Sequence, residues 1–280
     1  MQKRDGHTHS HFCRHGSGEE TELFIRKAIQ EGFTTYSVTE HLPLPDELLK
    51  QMPYSAGFRD SMEITPNELD DYIKEIERLK KKYRSEIQIL CGFELDYLVG
   101  YEDYARILLK EYGPYLEDGL LSVHIMSGKN GLRCVDHSAE DFQEGLIEYY
   151  GSYHAAQQAY YRTVGQALKA DLGKYKPRRI GHLCLCNKYQ KILNPQGEIS
   201  QETTTIIRDL LIQISQAGYE LDVNVAGLYR KYCGEIYLLP WMVQLARELK
   251  IPLIYGSDSH AVEDVGRAYA EYTQLVGVGK

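Results

Sequence analysis

The chain has no run of about 18 apolar residues, so no segment of it is suited to span a bilayer as a helix. The opening residues, Met1-Gln2-Lys3-Arg4-Asp5-Gly6-His7, hold no apolar signal region, which gives the expectation of a cytoplasmic protein. Excess positive charge is also missing. Lys and Arg number 32 against 40 Asp and Glu, a formal net charge of −8, which excludes a broad basic nucleic-acid footprint. No glycine-rich phosphate loop follows the first predicted strand, since Asp5-Gly6-His7-Thr8-His9 matches neither GxGxxG nor a P-loop. There are no paired CxxC knuckles. The six cysteines (Cys13, Cys91, Cys134, Cys184, Cys186 and Cys233) read as reduced, buried thiols, and Cys184-Leu185-Cys186 is a lone CxC. No repeat and no Pro/Gly/Ser linker divides the 280 residues, which read as one domain over 1–280. A hydrophobic fraction of 43% is enough for a sizeable core. What the chain holds in unusual amounts is tyrosine, 23, and histidine, 10.

Short apolar strands alternate with amphipathic helices. Strands are expected near 3–7, 34–39, 87–94, 120–124, 179–183, 219–224 and 252–257. Helices are expected over 20–30, from Thr65 through Lys82, and over 101–112, 153–172, 201–217 and 238–249. Thr65-Pro66-Asn67-Glu68 combines a cap, a proline at N1 and a glutamate at the capping-box position. Lys80-Lys81-Lys82 suits that helix's C-terminus. Strands alternating with helices imply a parallel sheet with right-handed crossovers, either open or closed into a barrel.

The histidines decide between the two. His7 and His9 end the first strand, His41 the second, Glu94 the third, His124 the fourth and His182 the fifth; Asp258 and His260 end the seventh. Residues at i and i+2 on a strand share a face, so His7/His9 and Asp258/His260 can each aim two donors inward. An open sheet would spread these residues over tens of Å. A barrel gathers them at the C-terminal rim of its strands, where such folds place their active sites. The expected fold is therefore an α/β, distorted (β/α)7 TIM-like barrel with a metal site on that rim. His11, His137 and His154 read as surface or rim residues, and Glu40 points away from His41.

These motifs, Asp-Gly-His-Thr-His at 5–9, Thr-Glu-His at 39–41, Gly-Phe-Glu at 92–94, Val-His at 123–124, Gly-His at 181–182 and Gly-Ser-Asp-Ser-His at 256–260, resemble in order and number those of the PHP (polymerase and histidinol phosphatase) phosphoesterases. Chain length and Asn224-Val225-Ala226-Gly227-Leu228-Tyr229-Arg230-Lys231 resemble the monofunctional histidinol-phosphate phosphatases within that family, with Tyr229 intervening before the arginine. The resemblance implies three divalent transition-metal ions, Zn, Fe or Mn. It implies one ion on His7, His9, Glu94 and Asp258, a second on Glu94, His124 and His182, and a third on His15, His41 and His260.

The resemblance further implies a small-molecule phosphomonoester substrate, L-histidinol phosphate, with no nucleic-acid or membrane partner. Hydroxide on the metals would attack phosphorus, and Asp258 or His260 would serve the leaving alkoxide. Arginine forks suit phosphate oxygens, which makes Arg162 and Arg230 candidate phosphate contacts. Three divalent ions against two carboxylates leave the pit cationic inside an acidic chain. The competing readings are a PHP phosphoesterase for nucleotides or nucleic-acid ends, and a non-catalytic metal-binding domain. The segments 42–65 and 125–152 are the expected rim insertions that choose the substrate.

Overall fold

The computed structural model describes residues 3–62 and 64–277. Met1, Gln2 and residues 278–280 of the expected single domain, and Glu63 of the first insertion, lie outside the described residues. The strands are β1 (Arg4–Asp5), β2 (Thr35–His41), β3 (Gln88–Asp96), β4 (Asp118–Ser122), β5 (Ile125–Gly128), β6 (Gly131–Cys134), β7 (Arg179–Ile180), β8 (Glu220–Asn224) and β9 (Leu253–Gly256). Seven of them form one sheet in the order β1-β2-β3-β4-β7-β8-β9, with every neighbouring pair parallel. The sheet closes on itself. The Gly6 N–H donates to the Tyr255 carbonyl at 2.8 Å, the Asp258 N–H donates to the His7 carbonyl at 2.8 Å, and Thr8 bridges Ser259 in parallel. The outcome is the expected distorted α/β barrel of seven strands.

The helices of eight or more residues between strands are α1 (Thr21–Gln30), α2 (Leu69–Tyr83), α3 (Glu102–Tyr112), α4 (Tyr153–Lys169), α5 (Gln201–Gln216) and α6 (Pro240–Glu248). Their apolar stripes face the barrel: Leu69, Tyr72, Ile73, Ile76, Leu79 and Tyr83 of α2 are all buried. Ser152 and Ser200 cap α4 and α5 by accepting from the backbone N–H groups of Ala155 and Thr203. Before α2, the Thr65 N–H donates to the Glu68 carboxylate at 3.0 Å, the reciprocal half of a capping box. A last helix, α7 (Tyr269–Val276), was not among the sequence expectations; it packs Tyr272 and Val276 inward. No helix among the described residues is long and apolar enough to cross a membrane.

Two features correct the sequence reading. First, β1 and β7 are only two residues long. His7, His9 and His182 therefore sit beyond their strands, on rim segments held by backbone bonds across the barrel. Asp258 likewise lies past β9 with φ 52°, so it shares no strand face with His260. That left-handed backbone is uncommon outside glycine, though aspartate tolerates it better than most residues. Second, the 125–152 insertion, whose sequence lacks clean periodicity, carries regular structure of its own. It opens with the β5–β6 hairpin, turning at Lys129-Asn130-Gly131 with Asn130 at φ 63°. Asn-Gly was the local signal for that turn. The hairpin packs on the 42–65 insertion through Leu44, Leu48, Met52, Ile125 and Cys134.

The opposite end of the barrel carries a buried ion cluster. Arg179, 1% exposed, donates to Asp118 Oδ2 at 2.7 Å and to the Gly6 carbonyl at 2.7 Å, and Arg4 reaches the same carboxylate oxygen at 2.7 Å. Burial alone would raise the Asp118 carboxyl, but Arg179 and Arg4 hold it below its ordinary value. Removing Arg179 would leave the buried Asp118 carboxylate with only the part-exposed Arg4 as its cation. Arg179→Met is therefore expected to lower the unfolding free energy by about 3–5 kcal/mol, read as an earlier urea midpoint. An unchanged midpoint would show that this cluster does not stabilise the barrel floor.

Candidate metal centre

β2 and β3 pair with His41 opposite Glu94, which sends both side chains to the same inner face. Glu94 becomes the hub. Its Oε2 lies 3.2 Å from His7 Nε2, 3.6 Å from His9 Nε2 and 3.4 Å from His41 Nδ1. Its Oε1 lies 2.9 Å from His182 Nε2 and 3.7 Å from His124 Nε2. Ser122 Oγ donates to that Oε1 at 2.6 Å, and the space for it depends on Gly181, where a Cβ would sit 2.1 Å from the hydroxyl. Gly256 is needed in the same way. A Cβ there would lie 2.1 Å from Asp222 Oδ1 and 2.9 Å from His7 Cβ. Asp258 Oδ1 completes the cluster at 3.3 Å from His9 Nε2 and 3.6 Å from His7 Nε2.

The outer nitrogens fix the tautomers. Carboxylate and carbonyl oxygens only accept, so the imidazole nitrogen facing each of them must donate. His7 Nδ1 donates to Asp222 at 2.8 Å, His124 Nδ1 to Asp96 at 2.7 Å and His9 Nδ1 to Glu40 at 3.3 Å. His15 Nδ1 donates to the Ser61 carbonyl at 2.9 Å and His260 Nδ1 to the Asp258 carbonyl at 3.1 Å. In the neutral ring Nε2 then carries the lone pair, and at His7 and His9 it faces the Glu94 and Asp258 oxygens at 3.2 and 3.3 Å, an arrangement that calls for a cation between them. Nε2 of His15 and Nε2 of His260 are only 3.0 Å apart. Two lone pairs at that distance repel unless a cation or a proton lies between them. His9 Nε2 and His41 Nδ1 are buried with no hydrogen-bond partner. The donor set fits divalent metal ions: imidazoles oriented from behind by carboxylates are the usual arrangement of metal-ligating histidines. Groups with donor atoms within 4.8 Å of one another are His7/His9/Glu94, Glu94/His124/His182, His41/Asp96/His124 and His9/Cys13/His41/His260.

Electrostatics point the same way. Burial opposes charge on Glu94, but His7, His124 and His41 outweigh it and hold the carboxyl well below its ordinary value. Asp258 is likewise held low against burial, by His7, His9 and His260. Burial pushes His41 and His260 well below the ordinary imidazole value, aided by the neighbouring imidazoles of His9 and His15. For His9, the nearby carboxylates of Asp258 and Glu40 overcome burial and lift it to about 9. For His124, Asp96 and Glu94 lift it to about 10. Buried carboxylates thus draw positive charge onto His7, His9 and His124.

Above this floor is a pit of about 540 Å³. Arg230 lines it, but Arg162 does not. Arg162 is exposed on α4, ion-paired with Glu202 at 2.9 Å, and faces a separate groove. Its helical position turns it away from the strand ends. A second arginine in the wall is Arg267, which donates to the carbonyls of Ser257 and Asp258 at 2.9 and 3.0 Å. Lys188 also lines the pit, paired with Asp136 at 2.9 Å. His137, read as peripheral, lies in the wall with its ring 4.1 Å from that of Phe58. Asn224 contacts Asp258 Oδ2 at 3.1 Å and Asp222 Oδ2 at 3.2 Å. Asp96 and Asp222 escaped the sequence reading. Asp222 had a signal, since it shares the inner face of β8 with Asn224 at i+2. With Glu40, these carboxylates make the metal-free pit far more anionic than the two-carboxylate count implied.

A closed parallel barrel with such a donor set on its rim defines the class: an α/β barrel with a metal-binding centre at the ends of its strands. Residues 5–226 match the PHP domain, and residues 242–275 match the PHP-associated segment. The chain belongs to the PHP family. It is 39% identical to the histidinol-phosphatase of Bacillus subtilis, over 98% of this chain and 99% of that protein. A Listeria monocytogenes structure described as a candidate histidinol phosphatase superposes with a TM-score of 0.94 at 45% identity, covering 96% of this chain and all of that one. The fold is shared at 18% identity, TM-score 0.72, with a Lactococcus lactis histidinol phosphate phosphatase solved with zinc, L-histidinol and phosphate, covering 99% of this chain and 93% of that one.

Proposed function

We propose that this chain hydrolyses L-histidinol phosphate to L-histidinol and phosphate, as a metal-dependent phosphomonoesterase of histidine biosynthesis in the cytoplasm. The observation that carries the chemistry is Glu94, a single carboxylate among five imidazoles at the floor of an open pit. The full-length likeness to the Bacillus subtilis histidinol-phosphatase supports the substrate.

His7, His9, Glu94 and Asp258 would hold one ion, Glu94, His124 and His182 a second, and His15, His41 and His260 a third, with zinc, iron or manganese suited to such nitrogen-rich sets. Bound there, the ions would supply an activated water nucleophile and counter-charge for the phosphoryl group. The residues do the rest. Arg230 receives phosphate oxygens through its fork. Arg267 fixes the 257–258 backbone and so aims Asp258. Asp258 and His260, 13% and 19% exposed at the water-facing edge, would relay to the leaving alkoxide the proton that the attacking water gives up. The ring wall of Phe58 and His137 offers a face for the substrate's imidazole.

The test is phosphate release from a panel of histidinol phosphate, nucleoside monophosphates and a phosphodiester, with metal analysis in parallel. Histidinol phosphate is expected to be turned over best. A diester preference with negligible histidinol-phosphate turnover would overturn the substrate and leave the fold untouched. Asp222→Asn is expected to cost about 10–100-fold in metal affinity or activity, the usual effect of loosening a ligand's outer partner. Unchanged metal content and rate would remove Asp222 from the centre.

A further inference from the structure

The sequence reading makes every cysteine a spectator, yet Cys13 occupies a special place. It is buried in the loop between His9 and His15. Its sulfur lies within 4.8 Å of one imidazole nitrogen each of His9, His41 and His260, and those nitrogens are equally close to one another. Two of the imidazoles carry a buried nitrogen without a hydrogen-bond partner, His9 Nε2 and His41 Nδ1, on side chains only 0% and 10% exposed. The loop turns on itself around Cys13, whose N–H donates to the Ser10 carbonyl and whose own carbonyl accepts from the Gly16 N–H, both at 3.1 Å. The other five cysteines are buried and belong to none of the donor groups among the described residues.

We propose that Cys13 is a thiolate donor to the ion held by His15, His41 and His260, so that this site is a mixed sulfur–nitrogen site. The inference rests on the metal-centre reading above. When the ion enters, the S–H proton leaves to solvent and the sulfur lone pair forms the bond to the metal; nothing is oxidised or reduced. A soft donor among imidazoles shifts preference toward zinc, cobalt or iron and away from manganese and magnesium. The site would then differ in kind from the two others, which draw only nitrogen and carboxylate oxygen.

The experiment loads the metal-free full-length chain with Co(II), counts cobalt per chain, and records the near-ultraviolet spectrum. The expected result is a thiolate-to-cobalt charge-transfer band in the parent chain, kept in Cys134→Ser and lost in Cys13→Ser. Full cobalt uptake without that band overturns the thiolate and leaves the metal centre standing. Absence of cobalt uptake by the parent chain overturns the metal-centre reading and this inference with it. Should Cys13→Ser fail to fold, zinc-edge X-ray absorption on the parent chain decides. A sulfur shell at about 2.3 Å supports the proposal, and a shell of nitrogen and oxygen alone refutes it. In a folded Cys13→Ser, zinc affinity at one site is expected to fall at least 10–100-fold, with manganese affinity almost unmoved.

Discussion

Glu94→Gln is expected to abolish turnover, by more than about 10³-fold, and to lower bound metal at two places at once. The size follows from geometry. Loosening a single outer partner of a ligand costs about 10–100-fold, and Glu94 is not an outer partner. Its two oxygens face five imidazoles, with Oε2 toward His7, His9 and His41 and Oε1 toward His182 and His124. The amide keeps the shape but removes the charge and replaces one acceptor with a donor. With its remaining oxygen kept on the Ser122 hydroxyl, that donor takes the place of Oε2 and points at the nitrogens of His7, His9 and His41 where a metal would otherwise bind. The check is metal content per chain alongside phosphate release. Full metal content with a normal rate would dismiss Glu94 as the hub. A loss of rate with metal content intact would move its role from binding metal to orienting substrate.

Much of this centre was legible because metal-capable side chains at the ends of successive parallel strands fall on one rim in a closed barrel and nowhere together in an open sheet. That inference needed only strand identity, which the β-branched runs such as Ile87–Phe93 supplied. It did not need correct strand lengths. β1 and β7 are two-residue strands, yet their histidines reach the pit because the rim is tied by the Asp258–His7 and Gly6–Tyr255 backbone bonds. What stayed hidden depends on contacts far apart in the chain. Asp222 meets His7 across 215 positions and Asp118 meets Arg179 across 61, and no local periodicity marks such pairs. The insertions were illegible for another reason: their small cluster of Leu48, Met52, Ile125 and Cys134 joins two segments whose apolar residues are too sparse to show a period alone. Arg162 misled because an arginine near the fifth strand says nothing of the helical face it occupies.

Arg230→Ala is the second large effect, expected to lower kcat/KM by about 10²–10³-fold, the range seen when one preorganised donor to developing negative charge is removed. Three arginines invite comparison. Arg162 is spoken for by Glu202 at 2.9 Å and lies outside the pit, so Arg162→Ala should leave the rate within about twofold, as for a solvent-exposed ion pair of little net worth. Arg267 lines the pit, but its guanidinium is committed to the Ser257 and Asp258 carbonyls and to Asp264 at 2.8 Å. Its loss should disturb the Asp258 loop and reduce thermal stability together with rate. Arg230 follows the Ala226–Tyr229 turn at the end of β8, the one barrel strand whose rim offers no proposed metal donor. It is exposed at the pit mouth, with its fork free to close on an anion. Arg230→Ala should therefore keep its metal content and its melting temperature while weakening inhibition by inorganic phosphate in parallel with kcat/KM. Arg230→Lys should recover only part of the loss, because an ammonium keeps the charge but not the two parallel N–H bonds. Equal losses in the Arg162 and Arg230 variants would mean that neither touches phosphate. Full activity in Arg230→Ala would hand the phosphate to Lys188 or Arg267, the other lysine and arginine in the wall among the described residues.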